Sequence, residues 1–101
     1  MIIYNVTCSM SSCISKDWID WMRKEHIPDV LSSGVFQFAK INRVLLEKED
    51  VDTYAIQYYC ETMKDLHKYQ SSFAASLQQK HIDRYQDQVV CFRTILEEID
   101  L

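Results

Sequence analysis

The sequence predicts an α+β fold of order β-α-β-β-α-β, an antiparallel four-stranded sheet with both helices on one face. Apolar residues fall at spacings of three and four in two stretches, around Trp18–Met22 and from Leu66 to Tyr85, which is helical periodicity. Four further stretches are rich in β-branched and aromatic residues: Ile2–Cys8, Val35–Leu46, Thr53–Cys60 and Val89–Leu96. Segments in this order have one favoured packing, the split βαβ or ferredoxin-like arrangement.

Each element has a local justification. In the first strand Ile2, Tyr4, Val6 and Cys8 share one side and Ile3, Asn5 and Thr7 the other. Ser9 to Ser12 reads as a polar connector. Ser15 is the expected N-cap of a helix from about Lys16 to His26. At roughly 100° per residue, Trp18, Met22 and Glu25 share an arc, with Trp21 on one shoulder and Ile19 and His26 on the other. Pro28, the only proline, should end this helix at Ile27, because the residue before a proline disfavours helical geometry. Gly34, the only glycine, suits a positive φ in the loop that follows.

In the second strand Phe36 and Phe38 have one parity and Ile41, Arg43 and Leu45 the other. A bulge near Ala39-Lys40 would place all five on one side. The charged turn Glu47–Asp52 closes a hairpin onto Thr53–Cys60. Thr62 and Asp65 have the spacing of a capping box. The stripe Leu66, Tyr69, Phe73, Leu77, His81, Tyr85 carries the second helix, which Ser71-Ser72 should kink.

Composition narrows the function classes. A length of 101 residues fits a single domain over 1–101, and 48% apolar with 26% charged residues fits a globular chain. The net charge of −4 and the scattered lysines and arginines argue against nucleic acid. The opening Met1-Ile-Ile-Tyr-Asn-Val has no basic n-region and is not read as a signal peptide. No apolar run reaches the roughly 18 residues of a membrane span. Cys8, Cys13, Cys60 and Cys91 show neither C-x-x-C nor zinc spacing. Free thiols in a cytoplasmic protein are the expectation, with no metal. Gly-rich phosphate loops, H-E-x-x-H and G-x-S-x-G are absent, so no nucleotide cofactor, and no other cofactor, is expected.

Both parities of the strands are apolar or aromatic, as in Ile3 beside Tyr4, Tyr58 beside Tyr59 and Cys91 beside Phe92. Two helices cover only one face. The other face is expected to be covered by a second copy in a C2 homodimer.

The pattern Trp18-x-x-Trp21-Met22-x-x-x-His26-Ile-Pro28-Asp29-Val30-Leu-x-x-Gly34-x-Phe36 resembles the signature of a small bacterial domain-of-unknown-function family. The Ile2–Val6 opening, the Thr53–Tyr58 run and the ending from Phe92 resemble the same family. The first-helix motif is similar, more loosely, to the W-x-x-x-H-x-P pattern of EthD-type proteins. Both groups resemble the dimeric α+β barrel superfamily, which includes antibiotic-biosynthesis monooxygenases, muconolactone isomerases and NIPSNAP-like proteins. The resemblance implies ferredoxin-like protomers pairing sheet to sheet. It brings no activity, since fold alone does not transfer one.

His26 is the candidate catalytic residue, a general acid or base expected at a helix C-terminus where the dipole favours the imidazolium. The alternative is a histidine capping its own helix. Candidate ligand-binding residues are Trp18, Met22, Tyr4, Tyr58, Arg43 and Arg93. The aromatics would supply surface and phenol donors, and the strand arginines would hold an anionic group. Structural readings stand beside these: Trp18 and the tyrosines as core, the arginines as salt-bridge partners. Glu25 faces the aromatic arc and would need a partner if buried. His81 reads as a half-exposed shoulder of the second helix and His67 as solvated.

Two function classes remain. One is a small dimeric barrel protein that binds or transforms a small hydrophobic or aromatic molecule. The other is a non-catalytic dimerisation or regulatory module. A cavity of roughly 300 Å³ or more beside His26 would favour the first. Haem ligation through His26 or His81 is a third reading.

Overall fold

Ile2–Ser11 forms a ten-residue strand, β1, paired on both sides within the sheet. The computed structural model describes all of residues 1–101. It continues through α1 (Ser12–Trp21), a π turn (Met22–His26), α2 (Ile27–Leu31), β2 (Phe38–Val44) and β3 (Val51–Cys60). There follow α3 (Met63–Ser72), α4 (Ala74–Tyr85), a 3₁₀ turn (Gln86–Gln88) and β4 (Val89–Glu97). The sheet order is β2-β3-β1-β4, antiparallel throughout. This is the α+β ferredoxin-like fold.

Several local expectations are corrected. β1 runs on through Ser9, Met10 and Ser11, which pair with Thr53, Asp52 and Val51, so this stretch is strand rather than connector. Ser11, not Ser15, caps α1, accepting from the Cys13 amide at 3.2 Å. Ser15 is buried one turn later and donates to the Ser12 carbonyl at 3.2 Å. β2 pairs with β3 without interruption from Phe38–Tyr59 to Val44–Thr53, so no bulge occurs at Ala39-Lys40. Phe36 lies before the strand and turns into the core, while Phe38 stacks on Tyr59 of the open face, centroids 4.4 Å apart.

The largest correction concerns Pro28. The helix does not end at Ile27 but continues to Leu31. The Ile27 amide donates to the Met22 carbonyl, five residues back. This wider turn takes in one more residue than an α turn. Pro28 thereby falls in the first turn of α2, where its missing amide costs little. The segment stops at Gly34, φ +78°, whose amide reaches the Leu31 carbonyl at 3.1 Å.

The second helix divides as its serines suggest. α3 ends at Ser72, and Phe73 with φ −125° and ψ −36° separates it from α4. Thr62 caps α3 by accepting from the Asp65 amide at 3.2 Å.

The core lies between helices and sheet. Trp18, Ile56 and Leu66 are fully buried there. The opposite sheet face carries Phe38, Val90, Phe92 and Leu96, exposed by 40%, 69%, 60% and 38%. No helix is long and apolar enough to cross a membrane.

Candidate active site

The π turn places three residues of the first helical segment along one line. Met22, His26 and Val30, four apart, all face a cavity of about 230 Å³ between this segment, α4 and the sheet. α4 contributes Gln78, His81 and Ile82, and α3 contributes Tyr69. The sheet supplies Tyr4, Val6 and Cys8 from β1, Ile56 and Tyr58 from β3, and Val89, Cys91 and Arg93 from β4. Alternation puts these on one side of each strand, and the register sets Cys8 opposite Cys91 and Val6 opposite Arg93.

The two imidazoles meet edge to face, centroids 5.9 Å apart. Trp21 closes over both, 5.1 Å from His26 and 5.9 Å from His81. Behind them Trp18 donates its indole N–H to His81 Nε2 at 3.0 Å. That bond assigns the tautomer: Nε2 accepts, so neutral His81 carries its proton on Nδ1. Protonating Nε2 would set two donors against each other. Burial, with Arg93 nearby, holds His81 below the usual histidine range. His26 is lowered to about 4, chiefly by burial, then by His81, with Arg93 and Lys80 adding to this and Asp29 opposing it. Both rings are therefore neutral near pH 7. The helix continues past His26, so no dipole end lies there to favour the imidazolium, and burial sets the direction of the shift.

Tyr4, Tyr58 and Tyr69 line the cavity together, and Phe36 packs among them at 6.2, 5.3 and 4.9 Å between centroids. Burial raises the Tyr58 and Tyr69 phenols well above the ordinary tyrosine value, so they stay protonated. The hydroxyls of Tyr59 and Tyr85 are bonded to Gln57 and Asp17. Those of Tyr4, Tyr58 and Tyr69 make no hydrogen bond within the chain, although none is sealed from the cavity. Buried tyrosine hydroxyls usually find a partner. Three that do not, on residues lining one cavity, leave phenol donors unsatisfied within the chain.

Arg93 forms no ion pair within the chain, whose side-chain salt bridges are Arg43–Asp52 and Arg84–Asp17. At the cavity rim it presents a free guanidinium.

Of the candidates from the sequence, the cavity brings together His26, Met22, Tyr4, Tyr58 and Arg93. Trp18 stands behind it, fully buried, and acts on it only through His81. Arg43 lies elsewhere: β2 is an edge strand distant from β4, and Arg43 pairs with Asp52 at 2.9 Å. Glu25 is exposed and accepts from the Trp21 indole at 2.9 Å, because the wider turn rotates it off the aromatic arc. Sequence reasoning missed His81 as a site residue. Its place on the Leu66–Tyr85 stripe was the available signal. Tyr69 and the Cys8–Cys91 pair were missed too: the packing of α3 on the sheet brings in the first, and strand register the second.

Fold and cavity together define a ferredoxin-like α+β protein with an aromatic, two-histidine cavity between sheet and helices. Residues 1–99 match the model for Domain of unknown function (DUF4286), and the chain belongs to that family. No curated protein matches it. Among solved structures it is similar to an EthD-family protein from Bacillus halodurans, with 12% identity, TM-score 0.68, and coverage of 98% of this chain and 100% of that one. It is also similar to a dimeric ferredoxin-like protein from an uncultured marine organism, at 13% identity, TM-score 0.62 and 97% coverage of both chains. A Deinococcus radiodurans protein assigned as an antibiotic biosynthesis monooxygenase gives 13% identity, TM-score 0.64, and coverage of 100% and 95%. At these identities the likeness establishes the fold alone.

Proposed function

We propose that this protein binds, and through His26 and His81 transforms, a small aromatic or hydrophobic molecule bearing one anionic group. The observation that carries this reading is a half-open cavity where three unbonded phenols, two neutral imidazoles and one unpaired guanidinium converge. At about 230 Å³ it is smaller than the 300 Å³ threshold, which limits the ligand to roughly one substituted ring. Arg93 would hold the anionic group, the tyrosines would orient polar substituents, and a neutral His26 would accept a proton. The neighbours in the EthD and antibiotic-biosynthesis groups fit such a role without specifying it.

Titration with benzoate-type carboxylates and their neutral amides tests this by calorimetry. Arg93→Gln is expected to weaken carboxylate binding at least about tenfold, the loss of one charge-assisted contact, while sparing the amides. If no compound of ring size binds at millimolar concentration, the non-catalytic module becomes the better reading.

Self-association belongs to either reading. The exposed Phe38, Val90 and Phe92 on the open sheet face support a homodimer through that face. So does Asn5 on the same face, whose buried Oδ1 finds no donor within the chain. A buried acceptor left unpaired costs about 1–3 kcal/mol, and a second copy could supply the donor. The dimeric neighbour has the same fold. A single domain over 1–101 fits the one shared core, and four free cysteines fit a cytoplasmic setting.

A further inference from the structure

Two cavity-lining residues play no part in the reading above. Cys8 and Cys91 stand directly opposite one another on β1 and β4, with their sulfurs 2.7 Å apart. Directly opposed residues on antiparallel strands have Cα atoms about 4.5–5.5 Å apart, inside the window of about 4.4–6.8 Å that a disulfide spans. The register therefore places the pair within disulfide reach. Both side chains line the cavity, so a small reagent entering there meets them.

We propose that Cys8 and Cys91 form a reversible dithiol–disulfide couple in the cavity wall, oxidised by a small hydroperoxide. The size of the cavity selects the oxidant class, since a space of about 230 Å³ admits hydrogen peroxide more readily than a bulky thiol disulfide. The two cysteines are unequal. Cys8 is 2% exposed, whereas Cys91, on the edge strand, is half-buried. Hydrogen bonding from Cys8 lowers the Cys91 thiol against the opposing effect of burial, with Arg93 adding to the lowering, while Cys8 is raised by that same bond and by burial. The more accessible Cys91 is the attacking sulfur and the buried Cys8 the resolving one.

The Cys91 thiol loses its proton, and the thiolate attacks one peroxide oxygen. The O–O bond breaks, Cys91 becomes a sulfenic acid, and the departing hydroxide takes up the proton as water. The Cys8 sulfur then attacks the Cys91 sulfur. The S–O bond breaks, the S–S bond forms, and hydroxide leaves with the Cys8 proton as a second water. The two sulfurs together lose two electrons and the peroxide gains them. A dithiol reductant reverses the change by thiol–disulfide exchange. The couple stands whether or not the cavity takes an aromatic ligand.

The test is hydrogen peroxide treatment of the intact chain, alkylation, and peptide mapping by mass spectrometry. Expected are a mass loss of roughly two units for the two departed hydrogens, a peptide linking Cys8 to Cys91, and full reversal by dithiothreitol. Cys8→Ser should instead accumulate a dimedone-reactive Cys91, since the resolving thiol is gone. The proposal is overturned if Cys8 and Cys91 both alkylate normally after peroxide has oxidised the exposed Cys13. It is equally overturned if the linked peptides join other cysteines.

Discussion

Trp18 holds two roles in one side chain. It fills the centre of the core with no exposed surface, stacking on Tyr54 at 5.6 Å, and it fixes the His81 tautomer from behind. Trp18→Ala is expected to cost about 3–5 kcal/mol in denaturant melts, the range for emptying a large buried aromatic site. Trp18→Phe separates the roles: most packing survives, but His81 Nε2 loses its donor and becomes free to protonate. NMR titration should then show the His81 pKa moving upward, and an unmoved pKa would show that the indole bond does not restrain it. His26 gives a pH signature. Its pKa is about 4 in the fold against 6.5 unfolded, so between those values the unfolded chain binds a proton that the folded chain refuses. Stability is thus complete above pH 6.5 and declines as pH falls through 4, by about 3 kcal/mol from this group. His81, shifted in the same direction, adds to the decline. Urea midpoints measured from pH 7 to pH 4 should fall less steeply in His26→Gln than in the parent chain.

The first helical segment illustrates how an element absorbs a rule-breaking residue. Proline inside an α-helix removes one hydrogen bond and presses on the carbonyl four residues back. Here the Met22–His26 π turn ahead of Pro28 accommodates it. The turn also leaves Met22, His26 and Val30 aligned on the cavity. Deleting the exposed Lys24 should restore α geometry and drive the helix into Pro28, costing about 3 kcal/mol. In a Pro28→Ala background the same deletion should cost markedly less, because the clash is gone. Equal costs in the two backgrounds, measured by thermal melts with circular dichroism, would show that the turn is not there to accommodate proline. The sequence displayed the proline and its local effect. It did not display that burying Val30, 1% exposed, rewards a helix that continues.

Over the whole molecule the asymmetry of the sheet matters most. One face holds the core and cavity, and the other leaves Val90 and Phe92 largely exposed. A homodimer through that face should sediment at twice the 12.0 kDa of one chain. Phe92→Lys should shift it toward a single chain without lowering helix content, since Phe92 is 60% exposed in the protomer and contributes little to its core. A parent chain that sediments only as the 12 kDa species at high concentration would remove the dimer reading. By itself the sequence determined the element order, the ferredoxin-like fold and the two-faced apolar strands, and of the seven residues it singled out five meet at the cavity: His26, Met22, Tyr4, Tyr58 and Arg93. These are legible because periodicity and parity are local properties of the chain. Only the tertiary structure decided that His81 faces His26, that Cys8 meets Cys91, and that Arg43 stands apart. Those relations depend on strand register and on the angle at which a helix crosses the sheet, and both are settled by contacts between residues far apart in the chain.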